Sequence, residues 1–179
     1  MLRAAMDAFW KKGYEATSLT ELCNCTGLHK GSLYQSFGDK HQLFMQSLEH
    51  YMDKEFQEVA AVAFQSDSPL ENLKAAVRKI CDVAGQEKGC LMINSMVELA
   101  PHDPEVKALI GQAAAKRRRV MTEMITKAQH AGEIRPELDP SSLALQLMVT
   151  LAGAAATAKA LIGKDEINCV FDCMIESWV

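Results

Sequence analysis

At 179 residues, 49% hydrophobic and 23% charged, the chain has the composition of a folded globular protein with one or two cores, which excludes a disordered one. Its formal net charge of −4 excludes a protein that coats nucleic acid indiscriminately, because such binding rests on neutralising many phosphates. The segment up to Tyr51 is neutral, with five cations (Arg3, Lys11, Lys12, Lys30, Lys40) against five acids (Asp7, Glu15, Glu21, Asp39, Glu49), so charge alone points to no partner.

Leu2, Ala5, Met6, Phe9 and Trp10 fall at the i, i+3, i+4, i+7, i+8 spacing of an amphipathic helix, with Gly13 as its stop. Ser18 and Glu21 form an S-x-x-E capping box that opens a short second helix ending at Gly27. Residues 29–36 leave room for two turns, with Leu33 and Phe37 on the inner side. Asp39 with Gln42 then caps a long fourth helix, whose stripe from Leu43 to Ala60 is expected to run on to about Gln65. Ser68-Pro69 opens a fifth helix carrying Leu70, Leu73, Val77, Ile80, Cys81 and Ala84 and closing between Gly85 and Gly89. A sixth spans Cys90 to Ala100 before Pro101, and Asp103-Pro104 opens a seventh that Gly132 ends. Asp139-Pro140 opens the eighth, ended by Gly163, and Ile167, Val170, Phe171, Met174, Ile175 and Trp178 face the ninth inward. No stretch alternates as a strand would, so the expected fold is all-α with about nine helices.

From Ser141 to Ala158 no residue is charged, which raises a membrane span as one reading. Alanine, glycine, serine and threonine dominate the stretch, and such residues favour close packing of helices instead. The N-terminus reaches Asp7 with no long apolar run before it, so the expected compartment is the cytoplasm. The six cysteines there read as reduced thiols without C-x-x-C spacing, and neither a metal nor a cofactor is expected.

A short capped helix, a glycine turn, a second short helix and a long third is the layout of a helix-turn-helix, which lays its second helix in the major groove. Three runs sharpen it: Gly13-Tyr14-Glu15-Ala16-Thr17-Ser18, Gly27-Leu28-His29-Lys30-Gly31-Ser32-Leu33-Tyr34-Gln35-Ser36-Phe37, and Asp39-Lys40-His41-Gln42-Leu43-Phe44. Together they resemble the N-terminal signature of the TetR family. The Gly89-Cys90-Leu91 and 131–136 stretches are similar to the sensor domains of one of its subgroups. The resemblance implies a DNA-binding domain over residues 1–51 and a ligand-sensing, dimerising domain over 52–179. It further implies a homodimer on a palindromic operator, released by a small molecule.

Gly31, without a side chain, lets the recognition helix approach base edges, and Lys30 reaches guanine acceptors or phosphate. The family positions matched by Tyr34, Gln35 and Lys40 contact the DNA backbone, and Ser32 lies on the same helix. Ser18 and Thr20 stand where free amides attract a phosphate, with plain capping as the alternative. His29 replaces the serine or threonine common in the family and either reads a base, caps the helix or faces solvent. Relatives often carry a basic arm before the first helix, whereas this sequence begins almost inside that helix.

The resemblance also implies a pocket among the fourth to eighth helices, to which the chain offers Phe56, Met92, Met96, Met121, Met124 and Met148, either as adaptable walls or as ordinary core. Asn94 and Glu98, one turn apart, are polar anchors or a hydrogen-bonded pair. Of the run Lys116-Arg117-Arg118-Arg119, Arg117 alone keeps phase with the apolar stripe, and an inward arginine suits an anionic ligand. Leu147, Leu151, Ala155, Phe171, Met174 and Trp178 are assigned to the dimer interface, because helices eight and nine carry more apolar surface than one core contact needs.

An enzyme is the rival class, but no G-x-x-x-x-G-K, H-E-x-x-H or G-x-S-x-G occurs, so none is expected. Two further alternatives are a helical adaptor without DNA binding and a redox or electrophile sensor built on Cys25 or Cys90.

Overall fold

Helical spacing of the apolar residues becomes helix almost everywhere in the computed structural model, which describes residues 1–84 and 88–179. Among the described residues the regular elements are α1 (Leu2–Lys12), α2 (Leu19–Thr26), α3 (Lys30–Phe37), α4 (Lys40–Ala60), α5 (Pro69–Ala84), α6 (Leu91–Glu98), α7 (Pro104–His130), α8 (Pro140–Thr157) and α9 (Lys164–Glu176). The expected close of the fifth helix falls partly on 85–87, outside the described residues. The chain forms two compact units, one of Met1–Lys54 with Leu91–Ile110 and one of Glu55–Cys90 with Gly111–Val179.

In the first unit each short helix has a local cause. Gly13 takes φ +86° and donates its amide to Phe9 O at 2.8 Å, which stops α1. The capping box of α2 is complete, with Glu21 N donating to Ser18 Oγ at 3.2 Å and Ser18 N to Glu21 Oε2 at 3.0 Å. Ala5, Met6, Phe9, Leu22, Leu33, Leu43, Phe44 and Leu48 are all buried, and Phe9 meets Phe44 edge-on at 5.2 Å. Phe37, expected inside with Leu33, is only half-buried.

The second unit is built around one cluster that includes Leu73, Val77, Ile80 and Cys81 of α5, Ile125 and Ala128 of α7, Leu147 and Leu151 of α8, and Phe171, Ile175 and Trp178 of α9. By length and composition α8 could cross a bilayer, but Leu143, Ala144, Leu147, Leu151, Ala154 and Ala155 bury one side of it within the protein.

That packing corrects the assignment of the dimer residues. Leu147, Leu151, Ala155, Phe171 and Trp178 are 0%, 4%, 1%, 2% and 3% exposed in the single chain, so they have almost no surface left for a partner. The helix is apolar on both sides, and its leucine-rich side packs inward, where larger groups remove more area from water. Left outside are Leu145 and Val149 of α8 and Val170 of α9, beside exposed Gly153, Ala156, Cys169 and Cys173. Met174 is half-buried and packs on the core.

Three helices end earlier than their sequence patterns. α4 stops at Ala60, where the amides of Val62 and Ala63 both bond Val59 O at 3.1 Å and the tightened turn buries Ala63. α6 is shorter by one residue at its start and two at its end. α8 stops six residues short of Gly163, because the amides of Ala160, Leu161 and Ile162 converge on Thr157 O at 3.2, 2.8 and 3.4 Å.

Candidate nucleic-acid interface and ligand cavity

α3 buries Leu33 completely and leaves Lys30, Gly31, Ser32 and Gln35 exposed, with Tyr34 half-buried beside them. A Cβ placed on Gly31 would meet nothing within 4 Å, and its φ is not in the left-handed region, so the fold does not require glycine there. Lys30 lies with Nζ 5.7 Å from the Tyr34 ring, one turn away on the same face. His29 is exposed at the cap position of α3 but makes no side-chain cap bond, which sets aside its capping role. Thr20 is exposed in the first turn of α2. The Ser18 hydroxyl accepts the Glu21 amide and lies 3.2 Å from the Glu21 carboxylate, so capping already engages it. Glu21 also pairs with Lys12, and this hydrogen-bonded pair with the Ser18 amide holds its carboxyl down at about 2.

Sequence reasoning did not find how the chain between α1 and α2 is fixed. Glu98, at the end of α6, accepts the amides of Tyr14 at 3.1 Å and Glu15 at 2.9 Å. Its carboxylate is thus engaged by two backbone amides of the turn before α2. A Cβ on Gly13 would come within 2.8 Å of Glu98 Oε2, a second reason for glycine at that turn. Tyr14 so held stacks on Phe9 at 6.0 Å and meets Phe44 edge-on at 5.0 Å. Burial, then Glu15, Asp39 and Asp103, push its hydroxyl above the usual tyrosine range.

Lys40 rests with Nζ 4.3 Å from the Tyr14 ring centre. It is the first residue of α4, whose Gln42 amide is capped by Asp39 Oδ1 at 2.8 Å. An ammonium held beside a helix N-terminus suits a phosphate oxygen. On the same helix His41 meets Asp103 at 2.7 Å, and Asp103 also caps α7 through the amides of Glu105 and Val106, both at 3.0 Å. Burial pushes the Asp103 carboxyl up, but the Val106 amide and His41 outweigh it and leave it below its ordinary range.

Within the second unit an apolar cleft lies between α4, α5 and α7, with about 430 Å³ of empty space when the open solvent at its mouth is counted. Its walls are Glu55, Phe56 and Val59 of α4, Leu73, Ala76, Val77 and Ile80 of α5, and Arg117, Val120, Met121 and Met124 of α7. Of the residues expected at a ligand, Phe56, Arg117, Met121 and Met124 meet here. Met92, Asn94 and Met96 belong to the first unit, and Met148 packs on the core from α8. Arg117 does point inward, yet its Nη2 lies 2.9 Å from Glu55 Oε1, so its charge is already matched. The pattern missed Glu55, an acid inside an apolar stripe.

Two family models match the chain. One described as "Tetracyclin repressor-like, C-terminal domain" covers residues 69–170, and one described as "Bacterial regulatory proteins, tetR family" covers residues 1–46. The chain belongs to the TetR family. It is 28% identical to the HTH-type transcriptional repressor ComR of Escherichia coli K12, over 99% of this chain and 86% of ComR. Its fold matches a cysteine mutant of the TetR-family regulator CifR complexed with 26-bp operator DNA, with TM-score 0.86 at 24% identity, over 99% of this chain and 95% of that one. It also matches AibR in complex with isovaleryl coenzyme A and operator DNA, with TM-score 0.76 at 23% identity, over 99% and 95% of the two chains. A TetR-family chain is a DNA-binding transcription regulator, and the helix-turn-helix of α2 and α3 is the element that serves this role.

The thiols of this TetR-family regulator do not favour the cysteine-sensor alternative. Cys25 is exposed, but burial, with Cys23 and Glu21 nearby, pushes its thiol above the usual range, and Cys90 is 4% exposed. Burial drives Cys81 up to about 12. On α9 the exposed Cys169 and Cys173 hydrogen-bond one another, which raises Cys173.

Proposed function

We propose that the protein is a cytoplasmic repressor that holds a palindromic operator as a homodimer and leaves it when a small molecule fills the cavity between α4, α5 and α7. The exposed, side-chain-free position Gly31, backed by buried Leu33, carries the reading: a glycine that the fold does not need is explained by close approach to DNA. Lys30, with Ser32, faces the base edges. Tyr34, Gln35, Lys40 and Thr20 take phosphates, and His29 extends the same exposed face. Leu145, Val149 and Val170, with Gly153 permitting close approach, form the face on which two copies meet. α4 and α7 each run through residues of both units, and that continuity gives an occupant of the cavity a path to the helix-turn-helix.

The test is a titration of labelled palindromic DNA with purified protein, with and without candidate effectors. Saturable binding at two protomers per site supports the reading, and binding indifferent to sequence contradicts it.

A further inference from the structure

We propose that the cavity selects small, largely apolar molecules carrying a hydrogen-bond donor, a hydroxyl or an ammonium, and that Glu55 is the residue that reads the donor. The inference rests on the ligand-released regulator described above and names the chemistry of its ligand. Nine of the eleven residues lining the cavity are apolar, so shape and burial hold the body of an occupant but do not orient it. Orientation falls to Glu55 and Arg117. Glu55 is 4% exposed, and its two oxygens are treated unequally: Oε1 takes Arg117 Nη2 at 2.9 Å, while Oε2 is buried without a hydrogen-bond partner. A buried carboxylate oxygen left unpaired costs free energy, which a donor on the occupant removes.

The same pair argues against an acid as ligand. To reach Arg117, an anion would have to part it from Glu55, and the buried carboxylate would then face the incoming charge unpaired. Lys116 does not change this, because it is exposed, with Nζ 3.8 Å from the centre of the Phe56 ring. An acceptor-only ligand, such as a ketone, finds no free donor on Glu55. Arg117 therefore acts as a clamp that fixes Glu55, and the selectivity belongs to Glu55.

Four probes of similar size separate these cases: 1-phenylethanol (donor), acetophenone (acceptor only), cumene (neither) and benzoate (anion). Their dissociation constants are measured by calorimetry on the full-length protein and on Glu55→Gln, whose amide nitrogen donates where Oε2 accepts. We expect 1-phenylethanol to bind the wild type at least about tenfold more tightly than the other three, the worth of one hydrogen bond to a charged group. Glu55→Gln should erase that advantage and turn the preference toward acetophenone. Equal binding of cumene, a preference for benzoate, absence of binding by all four, or a donor preference that survives Glu55→Gln would each overturn the inference. Where the amide variant does not fold, Arg117→Lys serves instead and should keep the order of the four probes while weakening the first. Operator binding without any probe is measured on the same preparations. Its absence counts against the regulator itself, whereas intact operator binding with no donor preference counts only against the role of Glu55.

Discussion

Replacing Gly31 by alanine or leucine should move folding and operator binding in opposite directions. The added Cβ meets nothing within 4 Å in the free protein, so no clash opposes it. Removing glycine from the second position of α3 raises stability by about 0.5 kcal/mol, less than the full interior value because the site lies in the first turn. For a chain of this length that is about 1–2 °C in Tm. On DNA the side chain stands between the helix and the base edges. A disturbed base contact costs about 1–3 kcal/mol, so a dimer on two half-sites is weakened by about 2–6 kcal/mol, at least about 30-fold in Kd. Thermal unfolding followed by circular dichroism and fluorescence anisotropy on a labelled operator read the two effects, with leucine giving the larger fall in affinity. A drop in Tm, or an operator Kd within about threefold of wild type for Gly31→Leu, would refute the reasoning.

Lys40→Ala should weaken binding to every DNA sequence about equally and lower the slope of log K against log salt by about 0.9 for each phosphate that is no longer neutralised, measured by anisotropy at several salt concentrations. Glu98→Ala frees the Tyr14 and Glu15 amides and unseats the ring under Lys40, so it should destabilise the protein by about 1 kcal/mol in urea unfolding and weaken operator binding as well. A variant as stable as wild type would show that water replaces the carboxylate. The Glu21 carboxyl is lowered from 4.5 to about 2, so its contribution is full above pH 4.5 and lost as pH falls toward 2. Glu21→Gln should therefore lower stability at pH 7 and flatten the acid limb over that window, and an unchanged acid limb would mean that the pair with Lys12 does not form in solution. Val149→Asp should give a folded monomer by sedimentation, whereas Leu151→Asp, a fully apolar position in the core, should unfold the protomer.

The periodicity of the apolar residues carried most of the fold into the sequence, because caps such as Ser18-x-x-Glu21 and Asp139-Pro140 and stops such as Gly13 and Gly27 are local in the chain. α4 and α8 end early for a reason no local pattern holds: carbonyls of Val59 and Thr157 gather several amides in a tightened turn. The recognition face was legible because burial of Leu33 on an eight-residue helix dictates which residues remain outside. The cavity was legible in Phe56, Arg117, Met121 and Met124, which share one phase on their helices, but not in Glu55, whose partner is 62 positions away. Glu98 was hidden for the same reason, since its partners are 84 and 83 positions distant. The dimer residues failed on another ground: a helix apolar on both sides does not declare which side its own core takes.

Selection of bound fragments from a random DNA pool by the purified protein tests the central claim most directly. The account predicts enrichment of a palindrome whose half-sites are separated by about 34–36 Å or a multiple of it, as two α3 helices related by a dyad require. Recovery of no enriched sequence, or of a single motif without its inverted repeat, would contradict it.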